Sequence, residues 1–336
     1  MKSTLAEQLT DLLAKHGDQE FELYEEIQFQ LNKWKHEQLD LAETPPHVKE
    51  IWRRWNLASD ELKSKPLLDL NERPWLSHLG GIRKGEVICF AGRPKMGKSS
   101  TLLFLIRSLT PSNKTLLISP ELNERYIIQR MLANQAQIPY AAIQQGDLND
   151  DMFDQVVQAA ENLFCQTLNI HSHYFHDVNE YAQFIEASIV RDKMEVICID
   201  DIDCFGNKWD NGHYNEVNQL LRFIKKMAFQ HQVSFVFTAP VHAMVEHDGS
   251  AEKKPHLHHL FPYHHVVDIA DKVIFLYRAE SYGITMDQWG NSTAHRIDWL
   301  VAKNNSDQPR ALHFTCSSEF SDFTELAIPS KFLYPF

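Results

Sequence analysis

One short segment combines two glycines, a lysine and a hydroxyl side chain at the spacing that binds phosphate. Residues Gly92–Ser99 match the pattern G-x-x-x-x-G-K-[ST] without a gap. In this pattern Lys98 reaches the β- and γ-phosphates of a nucleotide, and the hydroxyl of Ser99 holds Mg²⁺. The residues predicted to contact the nucleotide are Gly92, Arg93, Pro94, Lys95, Met96, Gly97, Lys98, Ser99 and Ser100.

Carboxylates that follow two other apolar runs supply the rest of the predicted chemistry. Asp200 ends the run that begins at Val196, and a carboxylate in such a place orients Mg²⁺ through water. Asp201, its neighbour, is the reserve choice for this role. Glu121 is predicted to activate the water that attacks ATP. Two plainer interpretations stay open: the aspartates are solvated carboxylates at a strand end, and Glu121 belongs to the cap of the next helix.

The elements that position these residues form an alternating series after about residue 80. Strand, glycine loop and helix around Lys98 point backbone N–H groups at a polyphosphate. The alternation predicts an α/β fold, with a mostly parallel sheet covered on both faces and an antiparallel C-terminal extension. The predicted strands are Val87–Ala91, Thr115–Ser119, Thr167–His171, Val196–Asp200, Ser234–Thr238, Lys272–Tyr277, Arg296–Lys303 and Ala311–Cys316. The predicted helices between them include Glu124–Gln135, Asp150–Cys165, Val178–Asp192 and Glu216–His231.

The N-terminal part of the chain follows a different pattern. Leu5, Leu9 and Leu12 recur at helical spacing, and a second amphipathic segment, 48–55, follows a break at Pro45-Pro46. We therefore predict a small helical region at residues 1–75, followed by the α/β domain at 76–336. The helical faces either pack on that domain or dock a partner or neighbouring subunit, and the pattern favours neither.

Composition limits the classes of protein to which the chain can belong. The 336 residues carry a net charge of −12, which argues against a general nucleic-acid coat protein. No apolar run reaches membrane-spanning length, so we expect a cytoplasmic protein with no membrane partner. The five cysteines show no C-x-x-C pair and are predicted to be reduced. They are Cys89, Cys165, Cys198, Cys204 and Cys316.

Several segments resemble, in the same order, the C-terminal ATPase domain of DnaB-type replicative helicases and of the related phage primase-helicases. The resemblance runs from about Gly80 to Leu326 and is most specific at the glycine loop. It is carried by Gly80–Glu86, Ala91–Ser99, Ser119–Leu122, Arg130, Glu216, Arg222, Lys225, Ile274–Glu280, Ala302-Lys303 and Glu319–Phe323.

This resemblance implies a RecA-like P-loop NTPase fold with ATP and Mg²⁺ as cofactors. It implies a homo-oligomeric ring, commonly a hexamer, in which ATP lies between subunits and pore loops grip single-stranded DNA. Glu121 falls on the family's catalytic glutamate. Lys303 falls on a hairpin lysine that would stabilise charge on the neighbouring subunit's nucleotide.

The chain departs from the family where contacts to the neighbouring nucleotide and to DNA are expected. Asn305 stands where the family carries its trans-acting arginine; Arg296 and Arg310 lie nearby without fitting the spacing. In the DNA-binding loop, Phe261 replaces an arginine and His264 replaces a glycine. These changes weaken the inference of DNA translocation more than that of ATP binding.

Two predicted loops contain histidine or aromatic side chains that could contact nucleic acid. The segment 256–265 holds five histidines, but no evident ligand set for Zn²⁺ accompanies them. We predict a solvated or pore-facing loop in which Tyr263 and the imidazoles stack on bases and contact phosphates. A second candidate stacking surface, which could equally be an ordinary loop with packed aromatic rings, consists of Phe205, Lys208, Trp209 and Tyr214. His242 could serve as the family's polar sensor only if the loop after the preceding strand is rearranged.

Three functions follow from these observations. The leading hypothesis is a ring-forming, ATP-dependent DNA helicase or translocase that recruits a replication or mobile-element partner through residues 1–70. The alternative is an ATPase that serves as an oligomeric switch or assembly module without unwinding, which the absent arginines favour. A recombinase or its mediator on the same core is the third. Stimulation of ATP hydrolysis by single-stranded DNA separates the first two.

Overall fold

The computed structural model describes residues 75, 79–164, 167–207, 212–247, 249–250, 252–288, 290–305, 310–317 and 323–326. These residues fall in Ser64–Phe336, the larger of the two units into which the chain divides. Apart from Trp75, the helical region predicted for residues 1–75 lies outside the described residues, as do Cys165, Lys208, Trp209 and most of Glu319–Phe323. Among the described helices, none is both long enough and apolar enough to cross a membrane.

Nine strands and seven helices make up the described part of the chain. The strands are β1 (Val87–Gly92), β2 (Thr115–Ile118), β3 (Leu168–His171), β4 (Val196–Ile199), β5 (Ser234–Pro240), β6 (Lys272–Tyr277), β7 (Arg296–Asn304), β8 (Arg310–Cys316) and β9 (Phe323–Glu325). The helices are α1 (Lys98–Leu109), α2 (Glu124–Ala136), α3 (Tyr140–Gln145), α4 (Asp150–Phe164), α5 (Val178–Val190), α6 (His213–His231) and α7 (His265–Ile269). Short 3₁₀ turns cover Ala243–Glu246, Leu257–Leu260 and Ala279–Tyr282.

The described strands form one sheet in the order β3-β2-β4-β5-β1-β6-β7-β8-β9. The first six strands in this order pair in parallel, whereas β7, β8 and β9 are added antiparallel. The mostly parallel sheet with an antiparallel C-terminal extension is therefore confirmed.

The elements that the sequence did not predict are short. The strand β9 has three residues, and α3 has six residues that begin after Pro139. Neither is long enough to show a periodic pattern of apolar residues. The helix α6 begins at His213, one turn before the predicted start at Glu216.

Helices cover both faces of the sheet, and the central strand β1 is therefore buried on both sides. Val87 and Cys89 point to the face covered by α5 and α6, whereas Ile88 and Phe90 point to the face covered by α1 and α2. Every residue of β1 is buried, as expected for a parallel strand with helices on both sides. Cys89 and Cys198 are free and buried in the two cores, as predicted.

Strand order brings the predicted chemistry to one edge of the sheet. Gly92, the last residue of β1, lies beside Pro240 of β5, and Ile118 of β2 lies beside Ile199 of β4. The carboxyl ends of these four parallel strands therefore meet. Ligands bind at this edge in open α/β sheets.

Candidate nucleotide-binding site

The phosphate loop joins β1 to α1 with the backbone that the glycine pattern requires. Gly97 precedes α1 with φ of 92°, a left-handed conformation that favours glycine. A Cβ on Gly97 would lie 3.3 Å from the Ile297 side chain, so little room exists for one. The first turn of α1 is Lys98-Ser99-Ser100-Thr101, without an acidic residue. Its backbone N–H groups and helix dipole therefore suit an anion.

Lys98 lies at the centre of this site. Its ammonium donates to the carbonyl oxygen of Gly92 at 3.3 Å and lies 3.6 Å from Oδ2 of Asp201. The Lys98 side chain is 17 % exposed, so the ammonium is held inside the cleft. A triphosphate would replace the carboxylate as its partner.

Asp200 and Ser99 form the candidate metal site. The Ser99 hydroxyl donates to Asp200, and the Thr238 hydroxyl donates to Oδ1 of Asp200 at 2.8 Å. Burial raises the pKa of Asp200, and the charge of Glu121 adds to this rise, while the two hydroxyls and Lys98 oppose it. A buried carboxylate of this kind is stabilised by a cation. One hydroxyl and one carboxylate fit Mg²⁺, which takes its other ligands from water and phosphate. Solvation does not explain Asp200, which is 6 % exposed.

Two further aspartates follow Asp200. Burial raises the pKa of Asp201 to about 7; Lys98 opposes this, and the charges of Asp203 and Asp200 reinforce it. Asp203 is itself buried and accepts a hydrogen bond at 2.9 Å from the Tyr263 hydroxyl. The sequence prediction missed Asp203, although an acidic residue three positions after Asp200 was visible in the chain.

Glu121 lies three residues after Ile118, the last residue of β2, and is exposed to solvent. Its charge reaches Asp200. The alternative role as a helix cap is wrong, because the cap of α2 is Asn123, whose side chain accepts from the backbone N–H of Arg125. Glu121 thus lies at the same edge of the sheet as the glycine loop.

Lys303 lies away from the phosphate loop of its own chain. On the sheet, Lys303 of β7 lies beside Val273, which lies beside Cys89, three residues before Gly92. Its ammonium donates to the carbonyl oxygens of Val267 and Ala270, both at 2.7 Å, at the end of α7. Burial lowers the pKa of Lys303. A role on a neighbouring subunit's nucleotide stays a prediction.

Two arginines, Arg93 and Arg296, are engaged in ion pairs within the domain. Arg93 donates to Glu246 at 2.8 Å and to the carbonyl oxygen of Val241, which ties the phosphate loop to the segment after β5. Arg296 is buried and donates to Asp298 at 2.7 Å and to Asp287 at 2.9 Å. These contacts hold Arg296 within its own subunit. The side-chain amide of Asn305 donates to Oδ1 of Asp271 at 3.1 Å.

The predicted stacking surfaces are corrected in part. Phe205 is fully buried and Tyr263 is 7 % exposed, so neither ring is open to a base. Tyr214 is 42 % exposed, and Phe261 is 57 % exposed. Within the described residues, no group of three or more histidine, cysteine or acidic side chains is arranged to hold a metal ion.

His242 does not face the phosphate site as a sensor. Its Nδ1 accepts from the backbone N–H of Met244 at 3.2 Å, within the turn that follows β5. The ring also lies near Phe261. The rearrangement that would bring His242 to the site is therefore not present.

Solved structures share this fold. One of them, the structure of an ATPase domain, has a TM-score of 0.73 and 18 % sequence identity, covering 85 % of this chain and 100 % of its own. A DnaB-like replicative helicase solved to study its interactions with primase has a TM-score of 0.73 and 17 % identity, covering 96 % of this chain and 75 % of its own. The RecA-like α/β fold of DnaB-like ATPase domains is thus confirmed.

Curated proteins of similar sequence are replicative helicases. A probable plasmid replicative DNA helicase of Chlamydia trachomatis is 25 % identical over 202 residues, 60 % of this chain and 44 % of that protein. The replicative DNA helicase DnaB of Mycoplasma pneumoniae is 24 % identical over 256 residues, 72 % of this chain and 53 % of that protein. The chain spans about half the length of these relatives. A model of the DnaB-like helicase C-terminal domain matches residues 75–325, and the chain therefore belongs to that family.

Proposed function

We propose that the chain is an ATP-dependent DNA helicase or translocase that acts as a ring on single-stranded DNA. The observation that carries this proposal is the convergence of Lys98, Ser99, Asp200 and Glu121 at one edge of the sheet. Membership of the DnaB-like family supports the DNA substrate. The relatives named above are replicative helicases, so we assign the chain to DNA replication. The proposed location is the cytoplasm.

In this mechanism each side chain has a separate task. The backbone N–H groups of the loop and of the first turn of α1, except at Pro94, which has none, bind the triphosphate together with the Lys98 ammonium. Lys98 leaves Asp201 to do so. Ser99 and Asp200 would hold Mg²⁺, and a bound cation would supply positive charge that neutralises the phosphates. Glu121 orients the attacking water and accepts its proton. Burial of Asp200 and Asp201 keeps these electrostatic interactions strong.

Ring assembly is the second part of the proposal. Residues 1–75 are assigned to a helical region that docks a subunit or a replication partner, and 76–336 to the ATPase domain. Lys303 is assigned to the neighbouring subunit's nucleotide, because its position in β7 keeps it from its own phosphate loop. Hexamers are the expected assembly.

ATP hydrolysis with and without single-stranded DNA tests the proposal. We expect strong stimulation by the oligonucleotide and unwinding of a forked duplex, both abolished in Lys98→Ala. The matched control is Lys226→Ala, an exposed lysine on α6. Hydrolysis that DNA does not stimulate, together with no unwinding, would favour the switch, and unchanged hydrolysis in Lys98→Ala would remove the site assignment.

A further inference from the structure

A buried hydrogen bond connects the phosphate site to the histidine-rich segment 256–265. The Tyr263 hydroxyl donates to Oδ2 of Asp203 at 2.9 Å, across 60 residues of sequence. Tyr263 is 7 % exposed and Asp203 is 8 % exposed. A charge-assisted hydrogen bond that is shielded from water in this way is stronger than one at the surface.

Tyr263 anchors a segment whose neighbouring side chains face solvent. Phe261, two residues before it, is 57 % exposed, and His264, directly after it, is also exposed. The Tyr263 ring packs edge-on against Tyr214 with centroids 5.5 Å apart. The placement of Phe261 and His264 therefore depends on where the buried ring is held.

A second connection runs through the backbone. The N–H of His242 donates to the carbonyl oxygen of His259 at 2.8 Å, which ties the segment to the residues after β5. The same strand carries Thr238, which donates to Asp200. The segment is thus joined to the phosphate site at both aspartates, through a side chain at Asp203 and through β5 at Asp200.

Asp203 lies close enough to the phosphate site to interact electrostatically with the charges there. Asp203 follows Asp201 by two residues, in a turn where the N–H of Cys204 donates to the carbonyl oxygen of Asp201 at 3.0 Å, and Asp201 is the ion-pair partner of Lys98 at 3.6 Å. When Lys98 turns from Asp201 to a phosphate, the positive charge near these carboxylates changes. The strength of the bond that Asp203 accepts from Tyr263 changes with it, because such bonds depend on the local charge.

We propose that the Asp203–Tyr263 hydrogen bond is a positioning contact that couples occupancy of the phosphate site to the placement of Phe261 and His264. Tyr263 and Asp203 are positioning residues, since they act through the segment and through Asp201. The proposal rests on the proposed function for its biological meaning: the segment would hold DNA differently with and without ATP. The coupling itself requires only nucleotide binding.

Hydrogen exchange of residues 256–265 tests the coupling without DNA. In the unmodified chain with Mg²⁺, we expect a non-hydrolysable ATP analogue to change exchange in this segment, and the change to be lost in Tyr263→Phe. That variant keeps the ring and its packing on Tyr214 but removes the donor. The control, Tyr214→Phe, removes a hydroxyl from the neighbouring ring and keeps the change. The same nucleotide response in Tyr263→Phe, or none in the unmodified chain, would overturn the proposal.

A second readout separates a coupling role from a merely structural one. We expect Tyr263→Phe to bind the ATP analogue with an affinity within about twofold of that of the unmodified chain. In the unmodified chain the analogue should change the affinity for a labelled oligothymidylate, and in Tyr263→Phe most of this change should be lost. Asp203→Asn keeps an acceptor for Tyr263 and should retain part of this change. A purely structural bond would weaken both affinities equally, which contradicts the proposal. If the unmodified chain binds no oligonucleotide while the exchange response is present and depends on Tyr263, the coupling stands and the proposed DNA function fails.

Discussion

Lys98 and Asp201 are ion-paired in the phosphate site, with Nζ 3.6 Å from Oδ2. The two side chains are 17 % and 12 % exposed, so the pair is largely shielded from water. A triphosphate must draw Lys98 away from this carboxylate before the ammonium can neutralise phosphate charge. Under the proposed function the pair opposes nucleotide binding, whereas Asp200, one residue earlier, would support it through Mg²⁺.

Asp201→Asn and Asp200→Asn are expected to have opposite effects. Because the amide resembles the protonated form of Asp201, whose pKa is raised to about 7, the first variant should fold and bind ATP about three- to tenfold more tightly. Asp200→Asn should lower kcat by at least about 100-fold, since the metal loses its carboxylate. Calorimetric titration of ATP with and without Mg²⁺, and steady-state hydrolysis, measure these effects.

The same pair of variants identifies which aspartate holds the metal. If Asp201→Asn loses Mg²⁺-dependent hydrolysis while Asp200→Asn keeps it, the assignment of Asp200 is wrong and the neighbour takes the role. Thermal melts of both variants establish that each has folded. Equal losses in the two variants would contradict the separation of roles.

Glu121→Gln should affect catalysis much more than binding. Glu121 is exposed after the end of β2 and interacts electrostatically with Asp200. The cap of the following helix is Asn123. We therefore expect a kcat at least about 100-fold lower, with ATP affinity within about threefold of the unmodified chain. Fluorescent-nucleotide titration and single-turnover hydrolysis provide the two measurements.

A nearby carboxylate at the start of α2 serves as the matched control for this variant. Glu124→Gln changes an exposed residue whose side chain accepts from the Ser172 hydroxyl. Hydrolysis in Glu124→Gln should stay near the unmodified rate. A similar loss in both variants would indicate that the start of α2, and not a base at Glu121, sets the rate.

The sequence predicted the local backbone of the candidate phosphate loop, which is contiguous in the chain. The residues from Gly92 to Ser100 carry their geometry in one loop, because glycine conformation and a helix start are local properties. The sheet was predictable for a related reason: parallel strands buried on both faces are continuous apolar runs, such as Val196–Ile199.

The parts that depend on tertiary packing were not predictable. Tyr263 and Phe205 lie in polar loops, where no periodic pattern indicates which side chain turns inward, and both are buried. The pair of Asp203 and Tyr263 is 60 residues apart. The hydrogen bond forms because the residues that follow β4 and those that follow β5 lie at the same edge of the sheet. A single sequence does not specify which of these side chains will meet.

Mixing two inactive variants tests whether Lys303 acts on a neighbouring subunit. Lys303→Ala and Glu121→Gln should each lower hydrolysis at least about tenfold. In mixed rings, a Lys303→Ala subunit provides Glu121 and an adjacent Glu121→Gln subunit provides Lys303, so intact sites form at some interfaces. We expect the equimolar mixture to recover about one quarter of the unmodified rate, as random assembly of two subunit types dictates.

A role of Lys303 within its own chain gives a different result. Its ammonium donates to the carbonyl oxygens of Val267 and Ala270, so Lys303→Ala also removes a cap from α7. If this cap were its whole function, the mixture would show no recovery, because no subunit would hold both residues. The melting temperature of Lys303→Ala measures the contribution of the cap.

His171 makes the stability of the domain depend on pH. The ring packs against Phe184 at 4.1 Å and Phe175 at 4.9 Å between centroids. Burial lowers the pKa of His171, His173 lowers it further, and nearby glutamates oppose both. Because the folded-state pKa is below the unfolded value of about 6.5, the folded protein binds fewer protons. The stability present above that value is therefore lost as pH falls towards the folded-state pKa.

Replacing His171 with phenylalanine should remove this loss, because the new ring fits among aromatic neighbours and does not titrate. Urea unfolding at about pH 7.5 and about pH 5.5 measures the change in unfolding free energy for each protein, and the difference should be smaller in His171→Phe. Carboxylates that titrate in the same range contribute equally to both proteins and cancel. His231→Phe, at an exposed ring ending α6, should keep the full difference. If His171→Phe also keeps the full difference in unfolding free energy between the two pH values, protonation of His171 does not destabilise the folded state. The packing of its ring then does not control the pH dependence.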